Sequence, residues 1–156
     1  MKKLIFLFSF IILFAGTQCS FAQLSATTMK DIMESVTDKV KTLEDVNDQE
    51  IVNITVDLLV GSGQKFVYRY LDNNFDYKVL AIGDRRINSL NVEIRKKSGE
   101  NWIKVDRVSG QNAEIDVFPD SRAFYEFTIS VDEFKEDNTA GHFAFLLYHY
   151  DPVKKK

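Results

Sequence analysis

Alternation of apolar and polar residues at a period of two constrains this chain of 156 residues more than any other feature. Such alternation is typical of β-strands with one buried and one solvated face. Clusters of Gly, Asn, Asp and Ser interrupt it at regular intervals, which indicates turns between successive strands. The pattern predicts a mainly β domain, a sandwich or a barrel, of about eight short strands. The predicted strands are Val52–Val60, Lys65–Tyr70, Phe75–Ile82, Ile87–Lys96, Trp102–Val108, Ala113–Phe118, Ala123–Val131 and His142–Tyr150.

The segment from Ser25 to Asp48 has a helical period instead. Its apolar residues recur at spacings of three and four, which predicts one amphipathic helix within residues 23–49, with Thr28 as the N-cap. The apolar stripe can pack on the sheet that follows, or it can bind a partner or dimerise. Packing is favoured, because two heptads are short for a coiled coil. The stripe consists of Met29, Met33, Val36, Val40 and Leu43, with Ile32 beside it.

The N-terminus has the features of a Sec-type signal peptide. Two lysines precede an apolar run, residues 4–15, which is shorter than the roughly 20 residues that span a bilayer. Small residues ending at Ala22 predict cleavage there, so that residues 1–22 are a leader and the protein is periplasmic or extracellular. Lipidation of Cys19 is the weaker alternative, because the residue before this cysteine is not small. At the other end, residues 152–156 form a polar, lysine-rich tail.

Charge and cysteine content exclude several classes of function. The chain after Ala22 has 18 Lys and Arg and 23 Asp and Glu residues, a formal net charge of −5. This mildly acidic, dispersed charge argues against a nucleic-acid partner, which needs a concentrated basic face. The only cysteine, Cys19, lies in the predicted leader. We therefore expect no disulfide, no thiolate nucleophile and no cysteine-based metal site in the exported protein.

Several segments share the strand and turn order of a known family, including a Gly-Asp pair at Gly83 and Asp84 that directly follows a strand. In this order, over residues 52–150, the chain resembles the bacterial pre-peptidase C-terminal domain. The resemblance implies a single jelly-roll-like antiparallel β-sandwich, here residues 50–151, that is non-catalytic. Such domains are appended to secreted peptidases or stand in extracellular proteins. The segments are Gly63–Tyr70, Tyr77–Asp84, Leu90–Ile94, Ala123–Ile129 and Gly141–Phe145.

Calcium is the one metal that the sequence leaves open. Members of the resembled family often carry aspartates before the strand around Leu90, some of them linked to calcium, but this chain has Asn88 and Asn91 there. Calcium prefers carboxylate and carbonyl oxygens, and acidic turns elsewhere could supply them. None of these turns matches an EF-hand loop, and no other cofactor is expected. The candidate ligands are Asp84, Asp116 and Asp120.

No catalytic residue is predicted. Nucleophilic catalysis needs a Ser, Thr or Cys beside a base, and His142 and His149 are the only histidines. Their separation of seven residues places them on opposite faces of one strand, where they cannot share a site. The same spacing does not fit a zinc-binding His pair. Residue types alone leave a two-carboxylate glycosidase open, but a core of this size leaves few residues to form a cleft.

Aromatic residues are the best candidates for a binding surface. Trp102 shares a predicted strand face with Lys104 and Asp106, which indicates that it points outward as a binding anchor. Tyr148 and Tyr150 share one face of the last strand. If that face is exposed, it forms a platform for a glycan or a protein. The favoured alternative is that both tyrosines pack under the N-terminal helix, whose stripe needs an apolar partner.

These observations lead to one hypothesis with two alternatives. The leading hypothesis is an exported non-catalytic module that binds a protein or a glycan of the cell envelope. The first alternative is a small secreted hydrolase or a protease inhibitor, with the acidic segment Asp132–Gly141 as the inhibitory loop. The second is an envelope assembly subunit that oligomerises through its helix.

Overall fold

The computed structural model describes the backbone of residues 19–150 and the side chains of residues 29–150. Most of the predicted leader and all of the predicted tail lie outside these residues. The amphipathic segment forms helix α1, Cys19–Lys41, which continues into a π-helical segment, Thr42–Val46. The predicted N-cap at Thr28 is wrong, because the helix already runs through this residue. In the part of the chain that the structure describes, no helix is long and apolar enough to cross a membrane.

Eight β-strands follow, and each predicted strand is confirmed with ends that differ by a few residues. The largest difference is at the seventh strand, which extends to Phe134 because this residue still pairs with Ile87 of the fourth strand. The strands are β1 Glu50–Val60, β2 Gln64–Leu71, β3 Tyr77–Gly83, β4 Ile87–Ser98, β5 Asn101–Gly110, β6 Asn112–Val117, β7 Ala123–Phe134 and β8 Ala140–His149.

The strands form two four-stranded antiparallel sheets. We call the sheet of order β1-β8-β3-β6 the helix-covered sheet, and the sheet of order β2-β7-β4-β5 the open sheet. Consecutive strands mostly lie in different sheets, so that the chain crosses repeatedly between the two layers. This order is that of a jelly roll, and it confirms the predicted β-sandwich.

The main core fills the space between the two sheets. Its residues come from the inward positions of both sheets, as the alternation of strand side chains requires. Phe127 of β7 and Phe145 of β8 meet there with ring centroids 5.3 Å apart, so the central strands of the two sheets are in direct contact. The fully buried members include Val79, Ile87, Leu90, Val92, Ile94, Phe127, Ile129, Phe143, Phe145 and Leu147.

A second apolar cluster joins helix α1 to the outer face of the helix-covered sheet. Ile32 is 2% exposed, whereas Met33, the next residue, is 45% exposed. The inward positions are therefore 32, 36, 40 and 43, and the methionines of the predicted stripe lie at its flank. This packing occupies the helix face that an oligomerising helix would need. The buried cluster contains Ile32, Val36, Leu43, Leu80, Ala144, Leu146 and Tyr148.

Polar residues close the seam where the edge strands β1 and β2 lie opposite each other. Asn53 of β1 is buried and accepts a hydrogen bond from the Arg69 guanidinium of β2. Asp57 of β1 pairs with Lys65 of β2 at 2.6 Å, and this hydrogen bond holds the pKa of the Asp57 carboxyl below its ordinary value. A consequence is that the alternating apolar residues of β1 face outward rather than into the main core. An inward lysine on an edge strand also disfavours pairing with other chains.

The Gly-Asp pair after β3 has a direct structural role. A Cβ at Gly83 would lie 2.9 Å from side-chain atoms of Ile87, and one at Gly141 would lie 2.5 Å from the same side chain. Contacts this short do not occur, so both positions need glycine for Ile87 to enter the core. Asp84 then accepts hydrogen bonds from the backbone N–H groups of Arg86 and His142, both at 2.8 Å. These contacts fix the β3–β4 turn against β8.

Candidate functional site

The outer face of the open sheet carries buried polar side chains, which is unusual for a face that is turned to solvent. Asn91, Glu126 and Thr128 are only 8%, 6% and 7% exposed. They lie on the two central strands, β4 and β7, while long side chains of the edge strands shield them. The central strands are therefore the floor of a groove, and the edge strands β2 and β5 supply its walls.

Strand register sets which side chains meet across this face. Residues directly opposite on neighbouring antiparallel strands share a face and lie about 5 Å apart. Outward positions in the middle of the sheet thus form rows that run across all four strands. Two such rows are Phe66–Thr128–Glu93–Arg107 and Tyr68–Glu126–Arg95–Lys104.

Aromatic side chains line one wall and one end of the groove. Phe66, Tyr68 and Tyr70 of β2 are about half exposed, and Phe66 and Tyr68 stack with centroids 6.5 Å apart. Tyr68 also contacts Trp102 of β5, with centroids 5.9 Å apart. These two residues lie on opposite edges of a four-stranded sheet, where backbones are separated by about 14 Å. Both side chains therefore lean over the sheet and close one end of the groove.

Paired charges lie on the floor beside this aromatic end. The Glu93 carboxylate contacts the Arg95 guanidinium at 2.6 Å and the Lys104 ammonium at 3.3 Å. The hydrogen bond from Arg95 lowers the pKa of Glu93, so that this carboxylate remains ionised. Glu126 lies 3.7 Å from Arg95 and accepts a hydrogen bond from the Tyr68 hydroxyl, which raises the pKa of that tyrosine. The floor thus presents donors and acceptors in fixed positions.

The open end of the groove is also polar. Arg107 donates to the Asn91 side-chain oxygen and contacts the Asp132 carboxylate at 3.3 Å. Asn91 in turn donates to the Ser130 hydroxyl at 3.1 Å. The cavity has a volume of about 290 Å³, and its lining residues are Gln64, Phe66, Asn91, Glu93, Arg95, Arg107, Thr128, Ser130 and Asp132.

Trp102 lies on the outer face of the open sheet, next to the groove, and the Lys97 ammonium lies 5.9 Å from its ring centroid. Lys104 is on the same face, as expected. The expectation that Asp106 shares this face is wrong. A β-bulge shifts the register, so that Lys104 is opposite Arg95 while Asp106 is opposite the inward-facing Ile94. An extra residue in a strand reverses the alternation beyond it.

The second aromatic candidate surface is not present as an exposed platform. Tyr148 is 2% exposed and packs in the cluster beneath α1, and burial raises the pKa of its hydroxyl. Tyr150 is about half exposed, but the platform requires both rings. Tyr148 is buried because the apolar side chains of helix α1 need an apolar sheet face to pack on, as the favoured alternative predicts.

The two histidines are buried in separate surroundings. His142 lies against the Asp84–Arg86 pair, with its Nδ1 atom 3.0 Å from the Arg86 guanidinium. His149 packs against Phe75, with ring centroids 4.2 Å apart, and its Nδ1 atom is 2.8 Å from the backbone oxygen of Tyr150. The structure thus gives each histidine a packing role and does not bring the two together.

The candidate calcium ligands do not converge. Asp84 is fully buried and binds the Arg86 guanidinium through one oxygen at 2.8 and 3.1 Å. Asp116 pairs with Lys78 on the helix-covered sheet, and Asp120 pairs with Lys96 near the end of β4. Among the residues that the structure describes, no three His, Cys, Asp or Glu side chains gather to hold a metal ion.

The predicted inhibitory loop is shorter than expected. Strand β7 includes Asp132 and runs to Phe134, and β8 begins at Ala140, so the connection is residues 135–139. The backbone N–H of Lys135 donates to the Arg86 carbonyl at 2.9 Å, and the N–H of Gly61 donates to the carbonyl of Thr139 at 2.7 Å. Backbone hydrogen bonds therefore hold both ends of this connection between the sheets, and it does not protrude as a loop.

Comparison with known proteins adds information on the fold alone. No protein-family model and no curated protein matches the chain. Among solved structures it is similar to CorA, a surface-associated copper-binding protein of Methylomicrobium album BG8. The TM-score is 0.52 at 5% identity, over 60% of this chain and 91% of that chain.

Two further similar structures have lower scores. The Yersinia pseudotuberculosis-derived mitogen gives a TM-score of 0.49 at 9% identity, over 69% of this chain and 92% of that chain. The pre-peptidase C-terminal domain of collagenase from Bacillus anthracis gives 0.47 at 10% identity, over 61% of this chain and 87% of that chain. The latter belongs to the family that the sequence resembles.

Proposed function

We propose that this chain is an exported, non-catalytic module that binds a glycan of the cell envelope in the groove of the open sheet. One observation carries the proposal. Three polar side chains are more than nine-tenths buried on the solvent-facing side of a sheet, directly beside a wall of half-exposed aromatic rings. A sugar needs both kinds of group, because its hydroxyls form hydrogen bonds and its C–H faces pack on aromatic rings.

The arrangement supports a polymer rather than a small molecule. The groove runs along the strands of the sheet, is closed at the aromatic end by Tyr68 and Trp102, and has a polar open end at Asp132. A glycan lying in it would contact several rows of side chains at once. The predicted leader, residues 1–22, supports a site of action where envelope polysaccharides are available.

Native affinity electrophoresis in gels that contain soluble polysaccharides tests the proposal. We expect retardation in at least one gel, and a loss of affinity of at least about tenfold for Trp102→Ala and for Tyr68→Ala, because aromatic anchors each contribute more than about 1.4 kcal/mol. Phe118→Ala is the matched control, since Phe118 is an exposed aromatic residue that directly follows β6 of the helix-covered sheet. Equal losses for Phe118→Ala would contradict the proposed site.

A second experiment separates a glycan from a protein ligand. The chain is immobilised and exposed to envelope fractions that have been treated with periodate, which oxidises sugars, or with a protease. We expect periodate to abolish capture of envelope material and protease to leave it unchanged. Loss of capture after protease alone would replace the glycan by a protein partner.

A further inference from the structure

We infer that the groove selects uncharged glycans over acidic ones, an inference that rests on the proposed function. The selection comes from how the charges of the open sheet are distributed. Glu93, Glu126 and Asp132 each lie against a guanidinium or ammonium group of the same face. The groove therefore has many polar atoms but little uncompensated charge.

An acidic ligand would have to compete for these cations. Arg95 already contacts Glu93 at 2.6 Å and Glu126 at 3.7 Å, and Arg107 contacts Asp132 at 3.3 Å. A ligand carboxylate brought to either guanidinium would approach one of these acids, and like charges at close range are repulsive. An acidic sugar would thus be attracted by the guanidinium but repelled by the carboxylate that this guanidinium already contacts.

A sugar hydroxyl meets no such conflict. It can donate to a free lone pair of Glu93 and accept from a remaining N–H of Arg95, because a carboxylate accepts several hydrogen bonds and a guanidinium donates five. Hydrogen bonds to charged groups are stronger than those between neutral groups, and here the charges are already fixed in place. The side chains of Arg95 and Arg107 are about half exposed, so their outer N–H groups are accessible.

Aromatic contacts favour the same class of ligand. Phe66 and Tyr68 of β2 are half exposed at the groove wall, where a neutral sugar ring can pack without removing a charge from water. The Lys97 ammonium lies 5.9 Å from the centroid of the Trp102 ring. This positive charge is therefore at the end of the groove and not on its floor.

Isothermal titration with matched polymers tests the inference. The probes are the neutral polysaccharides used in the affinity gels and the carboxymethylated derivative of each, which has the same backbone. We expect the neutral form to bind at least about tenfold more tightly, with an affinity that changes little with NaCl concentration, since screening acts on charge–charge attraction. Tighter, salt-sensitive binding of the acidic form would overturn the inference and leave the proposed function standing. Binding of neither form would contradict both.

A single substitution should cancel the preference. Glu93→Gln removes the acid that neutralises Arg95 and Lys104 but keeps the side-chain shape and one hydrogen-bond acceptor. We expect affinity for the carboxymethylated polymer to rise at least about tenfold relative to the neutral polymer. Glu114→Gln is the matched control, because Glu114 pairs with Lys78 on the helix-covered sheet. An unchanged preference in Glu93→Gln, or an equal change in Glu114→Gln, would overturn the inference.

Discussion

Replacement of Asp84 by alanine should be among the most destabilising substitutions in this domain. Its carboxylate is fully buried and accepts hydrogen bonds from two backbone N–H groups and from the Arg86 guanidinium. The substitution would leave the Arg86 charge, which is itself 15% exposed, without its anion and beside His142. Breaking a buried pair in this way costs about 3–5 kcal/mol.

This cost is large relative to the stability of a single domain. Such domains unfold with a free energy of about 5–15 kcal/mol, so the loss corresponds to a fall in Tm of about 10–20 °C. Differential scanning calorimetry and urea unfolding monitored by circular dichroism measure it. Asp84→Asn keeps the acceptor for the N–H of His142, and we expect a smaller loss for this variant.

Asp116→Ala is the matched control for this prediction. Asp116 is about half exposed and its partner Lys78 retains Glu114 at 3.2 Å, so we expect a change of at most about 1 kcal/mol. A loss below about 1 kcal/mol for Asp84→Ala would refute the structural role of the pair. So would a rise in wild-type Tm on addition of Ca²⁺ that disappears in Asp84→Ala, because Asp84 would then act as a metal ligand.

Two other predictions follow from burial. Ile32→Asp places a charge in the apolar cluster beneath α1 and should cost several kcal/mol in urea unfolding, whereas Met33→Asp on the exposed flank should cost about 0.5 kcal/mol or less. Equal effects, or a multimer that Met33→Asp dissociates, would favour oligomerisation through the helix. Burial also raises the pKa of three tyrosines, so stability that is fully present below about pH 10 should fall as the pH rises further. Absorbance at 295 nm should show these three ionising together with loss of circular dichroism, and ionisation of all six tyrosines in the intact fold would contradict this. The tyrosines are Tyr77, Tyr125 and Tyr148.

Strand positions could be predicted from the sequence because the information is local. The alternation in β4, with Leu90 and Ile94 inward, and the turn at Gly61 involve residues that are close along the chain. The jelly-roll order follows from the sequence only through the family resemblance. Local alternation does not predict which face of β1 lies inward. This strand pairs its inward Asp57 with Lys65 across the seam, a contact that depends on both strands being edges.

The candidate site was only partly predictable for a similar reason. The sequence predicts Trp102 as an outward-facing aromatic residue, but its neighbour Tyr68 is distant in sequence and comes from the opposite edge of the sheet. In β2, Lys65 and Arg69 share a face with Val67 and Leu71, and this mixed face is turned to the core while the aromatic face is exposed. The buried position of Glu126 carried no local signal at all, since it results from side chains of other strands leaning over it.

Tryptophan fluorescence tests the central claim most directly, because Trp102 is the only tryptophan in the chain and lies at the closed end of the groove. The protein is titrated with a neutral polysaccharide that retards it in affinity gels, and binding is measured in parallel by calorimetry. We predict a saturable change in Trp102 emission with the same Kd as the calorimetric titration, and loss of both signals in Tyr68→Ala. Calorimetric binding that leaves the Trp102 emission unchanged would contradict a ligand site in the groove of the open sheet.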